Sequence, residues 1–123
     1  YVIDVIYDFI RAKNFKFQSY MSASKFYQNY ALKSNDGEEI LENYEDKVLI
    51  VALTLGNGEP KLAKDIAEKL INQEFQPATP TFLNAGRARG GKMVSCFLVN
   101  VEDSCEGISY AVLCLKHLSK IGA

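Results

Sequence analysis

The sequence predicts a mainly α-helical chain whose last third changes character, and three observations carry that class. Apolar residues recur at three- and four-residue spacing through most of the first 75 positions, the spacing of a single helix face. Pro77 and Pro80, then Gly86, Gly90 and Gly91, interrupt the pattern. Residues 93–101 are almost continuously apolar, as in a strand covered on both faces, and a final helix follows.

Residues 1–13 place Val2, Ile3, Val5, Ile6, Phe9 and Ile10 on one side of a helix. The aromatic, lysine-bearing residues 15–20 read as irregular. A second helix is expected over 23–33, capped by Ser22 or Ser24, with Phe26, Tyr27, Tyr30 and Ala31 as its packing stripe. Such a stripe is core far more often than it is a cofactor box. SNDGEE at 34–39 is a turn signal, because Asn, Asp and Gly tolerate left-handed backbone. KVLIVALTL at 47–55 is rich in strand-favouring residues, yet Val48, Val51, Ala52 and Leu55 keep helical spacing behind an acidic start, which predicts a helix. Pro60 is placed to open another helix over 61–73, burying Leu62, Ala63, Ile66 and Leu70. Helices of about 12 residues are marginal alone, so these four must pack on one another.

Pro77 and Pro80 push Gln76 and Thr79 toward extended backbone, and residues 75–89 read as non-helical. In the strand expected over 93–101, alternation puts Val94, Cys96, Leu98 and Asn100 on one face. A single buried strand cannot satisfy its own backbone groups, and no other stretch reads as its partner. The chain is therefore expected to be a piece of a larger protein. Asp103 and Glu106 form a D-x-x-E capping arrangement for a helix over 105–120.

The chain has 123 residues, 48% hydrophobic and 24% charged, which suits a folded globular protein and argues against bulk disorder. Its formal net charge of −1 gives no chain-wide electrostatic footprint for nucleic acid or an anionic membrane. No apolar run approaches the roughly 20 residues of a membrane span, and nothing resembles a secretory leader. Cys96, Cys105 and Cys114 are odd in number and contain no CxxC pair, and His117 is the only histidine, so no zinc site is expected. On one helix Cys105 and Cys114 are separated by about 900° of rotation, on opposite faces, which disfavours their pairing. A reduced, cytoplasmic chain fits that usage.

Cys96 is the candidate for chemistry. In an apolar strand a cysteine is by base rate a small hydrophobe. Ser95 beside it and the Gly/Arg loop before it raise the functional reading. An ordinary thiol, with a pKa of about 8.5, is only a few per cent thiolate at pH 7, so nucleophilic work needs help from Arg87, Arg89 or Lys92. A thiol donating reducing equivalents or hydrogen atoms needs none in its resting state. Thr79-Pro80-Thr81 reads either as a turn or as donors to a phosphate. Residues 86–92 match neither GxGxxG nor GxxxxGK[ST]. Asp103 is most simply a helix cap, or else an acceptor for a ribose hydroxyl. His117 and Cys105 read as packing or surface residues.

FQPATPTFLNAG at 75–86, then SCFL at 95–98, then EDS at 102–104 and a helix, closely resembles the large catalytic subunit of ribonucleotide reductases, in the wording of the class Ib ribonucleoside-diphosphate enzymes. KFYQNYALKSNDGEEILENYEDKVLIVALTLGNG at 25–58 resembles that family's helical N-terminal domain. The resemblance implies a helical N-terminal domain over 1–75. Residues 76–123 would then be the substrate loop, first strand and first helix of a ten-stranded α/β barrel. Position by position it implies Cys96 as the redox cysteine, Thr79 as the holder of the substrate diphosphate, Ser95 as a substrate contact and Asp103 as a contact to an allosteric effector nucleotide. It further implies ribonucleoside diphosphate substrates, dNTP or ATP effectors, a radical from a metal-containing small subunit, a thioredoxin- or glutaredoxin-like reductant and a homodimer of large subunits. No cofactor is implied for this stretch itself.

The family's radical cysteine, second redox cysteine, Asn/Glu pair, terminal cysteine pair and radical-carrying tyrosines have no counterpart here, so these residues alone are expected to be inactive. Cys105 and Cys114 match no redox position of the family. Two other classes remain open on the sequence. One is a free-standing helical interaction module without catalytic role. The other is a thiol-regulatory protein, in which Cys105 and Cys114 would react far faster than Cys96.

Overall fold

The structure, a computed structural model, describes residues 2–88, 90–94 and 96–120, with the backbone alone at 120. The chain divides into two compact units, Tyr1–Pro77 and Ala78–Ala123.

The first unit is helical. α1 (Val2–Ala12) buries Ile6 and Ile10. Val2, Ile3 and Val5, expected on the same buried side, are exposed, so the packed stripe is narrower than the apolar one. α2 (Tyr20–Lys25) starts three residues earlier than expected, and its cap is Ser19, whose hydroxyl accepts from the Ser22 backbone N–H at 3.2 Å. The helix does not run on to residue 33. It widens into a π turn over Phe26–Tyr30, closed by the Ala31 N–H donating to the Phe26 carbonyl at 3.0 Å. That widening keeps Phe26 buried within an aromatic cluster. Phe17 lies 5.7 Å from Phe26, and Phe15 stacks on Tyr44 at 4.2 Å between ring centroids. Of the expected stripe, Phe26 is core, while Tyr27, Tyr30 and Ala31 are half-buried.

Residues 32–41 fold back as a tight turn. Leu41 donates to the Leu32 carbonyl at 2.8 Å and Ser34 to the Glu39 carbonyl at 2.9 Å, with Gly37 at φ +78. Buried Glu42 accepts the Leu32 N–H at 2.8 Å.

α3 (Tyr44–Gly56) is the helix expected over 47–55, with Val48, Val51 and Ala52 fully buried. Helical spacing overrides strand propensity here because the start is capped. Asp46 accepts the Asn43 N–H at 2.9 Å and the Tyr7 hydroxyl at 2.5 Å, which also ties α1 to this helix. α4 (Pro60–Ile71) opens on its proline as expected, but its buried face is Ala63, Ala67, Leu70 and Ile71. Leu62 is exposed and Ile66 half-buried, so the stripe is rotated from the expected one. The cause is close packing. A Cβ on Gly56 would lie 2.7 Å from the Ala63 Cβ, so α3 and α4 approach closely at a pair of small residues.

In the second unit, α5 (Thr79–Asn84) is a short helix in a stretch expected to be non-helical. Pro80 is accommodated because it stands in the first turn, where a backbone N–H has no helical acceptor to lose. α6 (Cys105–Lys120) is the helix expected at the end. Its cap is Ser104, whose hydroxyl accepts the Gly107 N–H at 2.9 Å, so the capping role expected of Asp103 falls one residue later.

The strand expected over 93–101 is not formed, and no strand of two or more residues occurs among the described residues. Its described residues, 93, 94 and 96–101, are irregular and, apart from half-buried Val99, exposed, with Leu98 fully so. Strand ladders need a neighbour, and no described stretch offers one.

Candidate functional site

The candidate residues lie in the second unit, and one short piece of chain links two of them. Thr79 is the first residue of α5 and is exposed. Two and five residues further along that helix, Thr81 and Asn84 reach across to the returning chain. Thr81 Oγ1 donates to the Met93 carbonyl at 3.0 Å, and Asn84 Nδ2 donates to the Lys92 carbonyl at 2.8 Å. Between them the Gly/Arg loop is built from consecutive turns. Arg87 N–H donates to the Asn84 carbonyl at 3.2 Å, and Gly90 N–H to the Arg87 carbonyl at 3.0 Å. Gly86 and Gly90 take φ of +69 and +56, which glycine adopts at little cost. The Arg87 guanidinium is turned back, its Nε donating to the Leu83 carbonyl at 3.3 Å.

Three residues past Met93, Cys96 is a free, exposed thiol. The structure thus joins the helix that starts with Thr79 to the backbone just before Cys96, through side chains that spacing alone did not single out. The available signal was the Asn84–Gly91 pair. A Cβ on Gly91 would stand 2.3 Å from Asn84 Cγ, so this glycine marks a close approach rather than a flexible joint. Ser95 and Arg89 lie outside the described residues.

Asp103 is exposed, immediately ahead of the Ser104 cap of α6. An apolar cavity of about 510 Å³ lies between residues 97–100 and α6, with Cys114 and His117 on its lining. Cys105 is free and exposed, and Cys114 free and half-buried. Among the described residues no group of three or more His, Cys, Asp or Glu is placed to hold a metal ion. Among them also no helix is long and apolar enough to cross a membrane.

The chain is a helical unit followed by a hydrogen-bonded loop that leads to an accessible thiol. Residues 16–90 match the family described as ribonucleotide reductase, all-alpha domain. The chain is 57% identical over 111 residues to the ribonucleoside-diphosphate reductase subunit alpha of Bacillus subtilis, covering 90% of this chain and 16% of that protein. It is 52% identical over 120 residues to the NrdEB subunit alpha of the same organism, covering 98% and 11%. The subunit alpha of Mycoplasma pneumoniae is 48% identical over 109 residues, covering 89% and 15%. The chain therefore belongs to the ribonucleotide reductase large-subunit family, with residues 16–90 matching its all-alpha domain. It spans between 11% and 16% of the length of these relatives.

Proposed function

We propose that the chain is part of the catalytic subunit of a ribonucleoside-diphosphate reductase, which converts ribonucleoside diphosphates to 2′-deoxyribonucleoside diphosphates by a thiyl-radical mechanism and so supplies DNA precursors. The match of residues 16–90 to the all-alpha domain carries this reading, since it runs through Thr79 and into the loop that leads to Cys96. Residues 1–75 act as the helical N-terminal domain. Residues 76–123 act as the substrate loop, first strand and first helix of a ten-stranded α/β barrel.

In this reading Thr79 holds the substrate diphosphate, and its exposed position in the first turn of α5 suits a hydroxyl offered to an anion. Ser95 contacts the substrate beside the thiol. Cys96 supplies one of two thiols that reduce the ribose. The 2′ carbon–oxygen bond breaks and the oxygen leaves as water. A hydrogen takes its place, and the two thiols give up two electrons and two protons as they join in a disulfide. A thioredoxin- or glutaredoxin-like dithiol then reopens that disulfide. The radical that starts the cycle comes from a metal-containing small subunit, and the metal is that partner's. Asp103, exposed ahead of α6, contacts a dNTP or ATP effector. The subunit works as a homodimer in the cytoplasm.

The test is a full-length subunit carrying this sequence, assayed with the small subunit, a dithiol reductant and CDP. Cys96→Ser is expected to abolish deoxycytidine diphosphate formation under continuous turnover, and Thr79→Val to raise the KM for CDP. Wild-type turnover by Cys96→Ser would overturn the assignment of the thiol.

A further inference from the structure

We propose that Thr81 and Asn84 are positioning residues for the Cys96 thiol. Their side chains clasp the two consecutive carbonyls of Lys92 and Met93, and so fix the backbone that carries Cys96 to the helix that begins with Thr79. The proposal rests on the reading of Cys96 as the reducing thiol and adds to it the device that sets where that thiol stands.

Thr81 and Asn84 are three apart on α5 and therefore share one face of that helix. Both are half-buried, and both donate to the same returning strand of chain, at 3.0 and 2.8 Å. Two donors on one helix face thus hold two consecutive carbonyls, which limits the rotation of this backbone as well as its distance from α5. Gly91 completes the clasp. Its missing side chain leaves the space that the Asn84 amide occupies, since a Cβ there would lie 2.3 Å from Asn84 Cγ. Among the described residues between Asn84 and Gly91, the Arg87 N–H is taken up by the Asn84 carbonyl and the Gly90 N–H by the Arg87 carbonyl.

This arrangement has a specific consequence. The clasp ties the chain that leads to the reducing thiol, three residues short of it, to the helix that carries the diphosphate-holding hydroxyl. Loosening the clasp leaves Thr79 in its helix and moves only the thiol. Substrate binding should therefore survive while reduction slows, because misplacing a reacting group by about 1 Å can cost on the order of a hundredfold in rate.

The experiment uses the full-length subunit carrying this sequence, with small subunit, CDP and dithiol reductant. Thr81→Val and Asn84→Asp, which remove one donor each at nearly constant volume, are expected to lower kcat by about tenfold or more with KM for CDP unchanged. Thr81→Ser, which keeps the hydroxyl, is expected to restore wild-type kcat. Gly91→Ala, which displaces the Asn84 amide, should reproduce the loss. An unchanged KM shows that each variant folds and binds substrate. Wild-type kcat in Thr81→Val and Gly91→Ala, beside an inactive Cys96→Ser, overturns the clasp and leaves the assignment of the thiol standing. A loss that Thr81→Ser fails to restore, or one matched by an equal rise in KM, also overturns it. Full activity in Cys96→Ser removes the thiol's role and the clasp with it.

Discussion

Replacing Gly56 by alanine tests the account of how the helical unit is packed. The new Cβ would lie 2.7 Å from Ala63 Cβ and 3.0 Å from Ala63 Cα and N. Carbon atoms in favourable contact stand about 3.5–4.0 Å apart, so α3 and α4 would have to separate by roughly an ångström. Backbone atoms cannot swing aside as the end of a flexible side chain does. Overpacking of this kind costs about 1–3 kcal/mol. Against it stands the gain from replacing glycine in a helix, about 0.5–1 kcal/mol and at the low end for the last residue of α3. The net expectation is a loss of about 1–2 kcal/mol, and each kcal/mol corresponds to about 4–8 °C in melting temperature for a unit of this size. Urea denaturation followed by far-UV circular dichroism measures it. Ala63→Gly alone should also destabilise, by about 1 kcal/mol from helix propensity. The double variant should fall short of the sum of the two losses by about 1 kcal/mol, because the two changes meet at one contact. A Gly56→Ala chain as stable as the wild type, or a strictly additive double variant, would refute packing through small residues.

Two further outcomes follow from named contacts. The hydrogen bond to Asp46, then burial, raises the Tyr7 phenol above the usual value of about 10, and burial alone raises Tyr44. Both groups favour the neutral phenol in the fold, so their stabilisation is complete below pH 10 and is lost as pH rises through the raised values. The urea midpoint should drop more between pH 8 and 11 for the wild type than for a Tyr7→Phe/Tyr44→Phe chain, and equal drops would refute it. Ser104→Ala should lower α6 stability by about 1 kcal/mol, read as lost helicity in titrations with trifluoroethanol, whereas Asp103→Ala should not reproduce a cap loss of that size.

The helices were legible where spacing and punctuation agreed. Pro60 marked a helix start, and Val48, Val51 and Ala52 marked a buried face despite their strand propensity. What spacing could not show was which part of a wide apolar stripe is covered. Val2, Ile3, Val5 and Leu62 fit the helical period and remain exposed, because burial is decided by the neighbouring helix and not by the helix itself. The prolines misled for a related reason, since Pro80 breaks a helix interior but suits a first turn. In the candidate site the sequence pointed to Thr79, Cys96 and the glycines. It concealed Thr81 and Asn84, whose roles depend on a chain reversal that brings residues 8 to 12 positions apart into contact.

Residues 93–101 present the sharpest conflict between local pattern and structure, and the conflict is itself informative. Their apolar continuity asks for burial on both faces, yet Val94, Leu98 and Val101 are each more than half exposed. A segment so apolar is unfavourable in water at about 25 cal/mol for every Å² left uncovered, and its backbone groups can be satisfied in a sheet only by a neighbouring strand. Both deficits vanish together if the proposed barrel supplies that neighbour. Amide hydrogen exchange separates the alternatives. In the 123-residue chain, amides of 96–101 should exchange near the rate of an unstructured peptide, while those of Val48, Val51 and Leu70 in the buried helices are protected. In the full-length subunit the same 96–101 amides should become protected to the level of the core. Protection already present in the short chain would mean that the segment finds its partners within these residues, and the case for a barrel strand carrying Cys96 would fail.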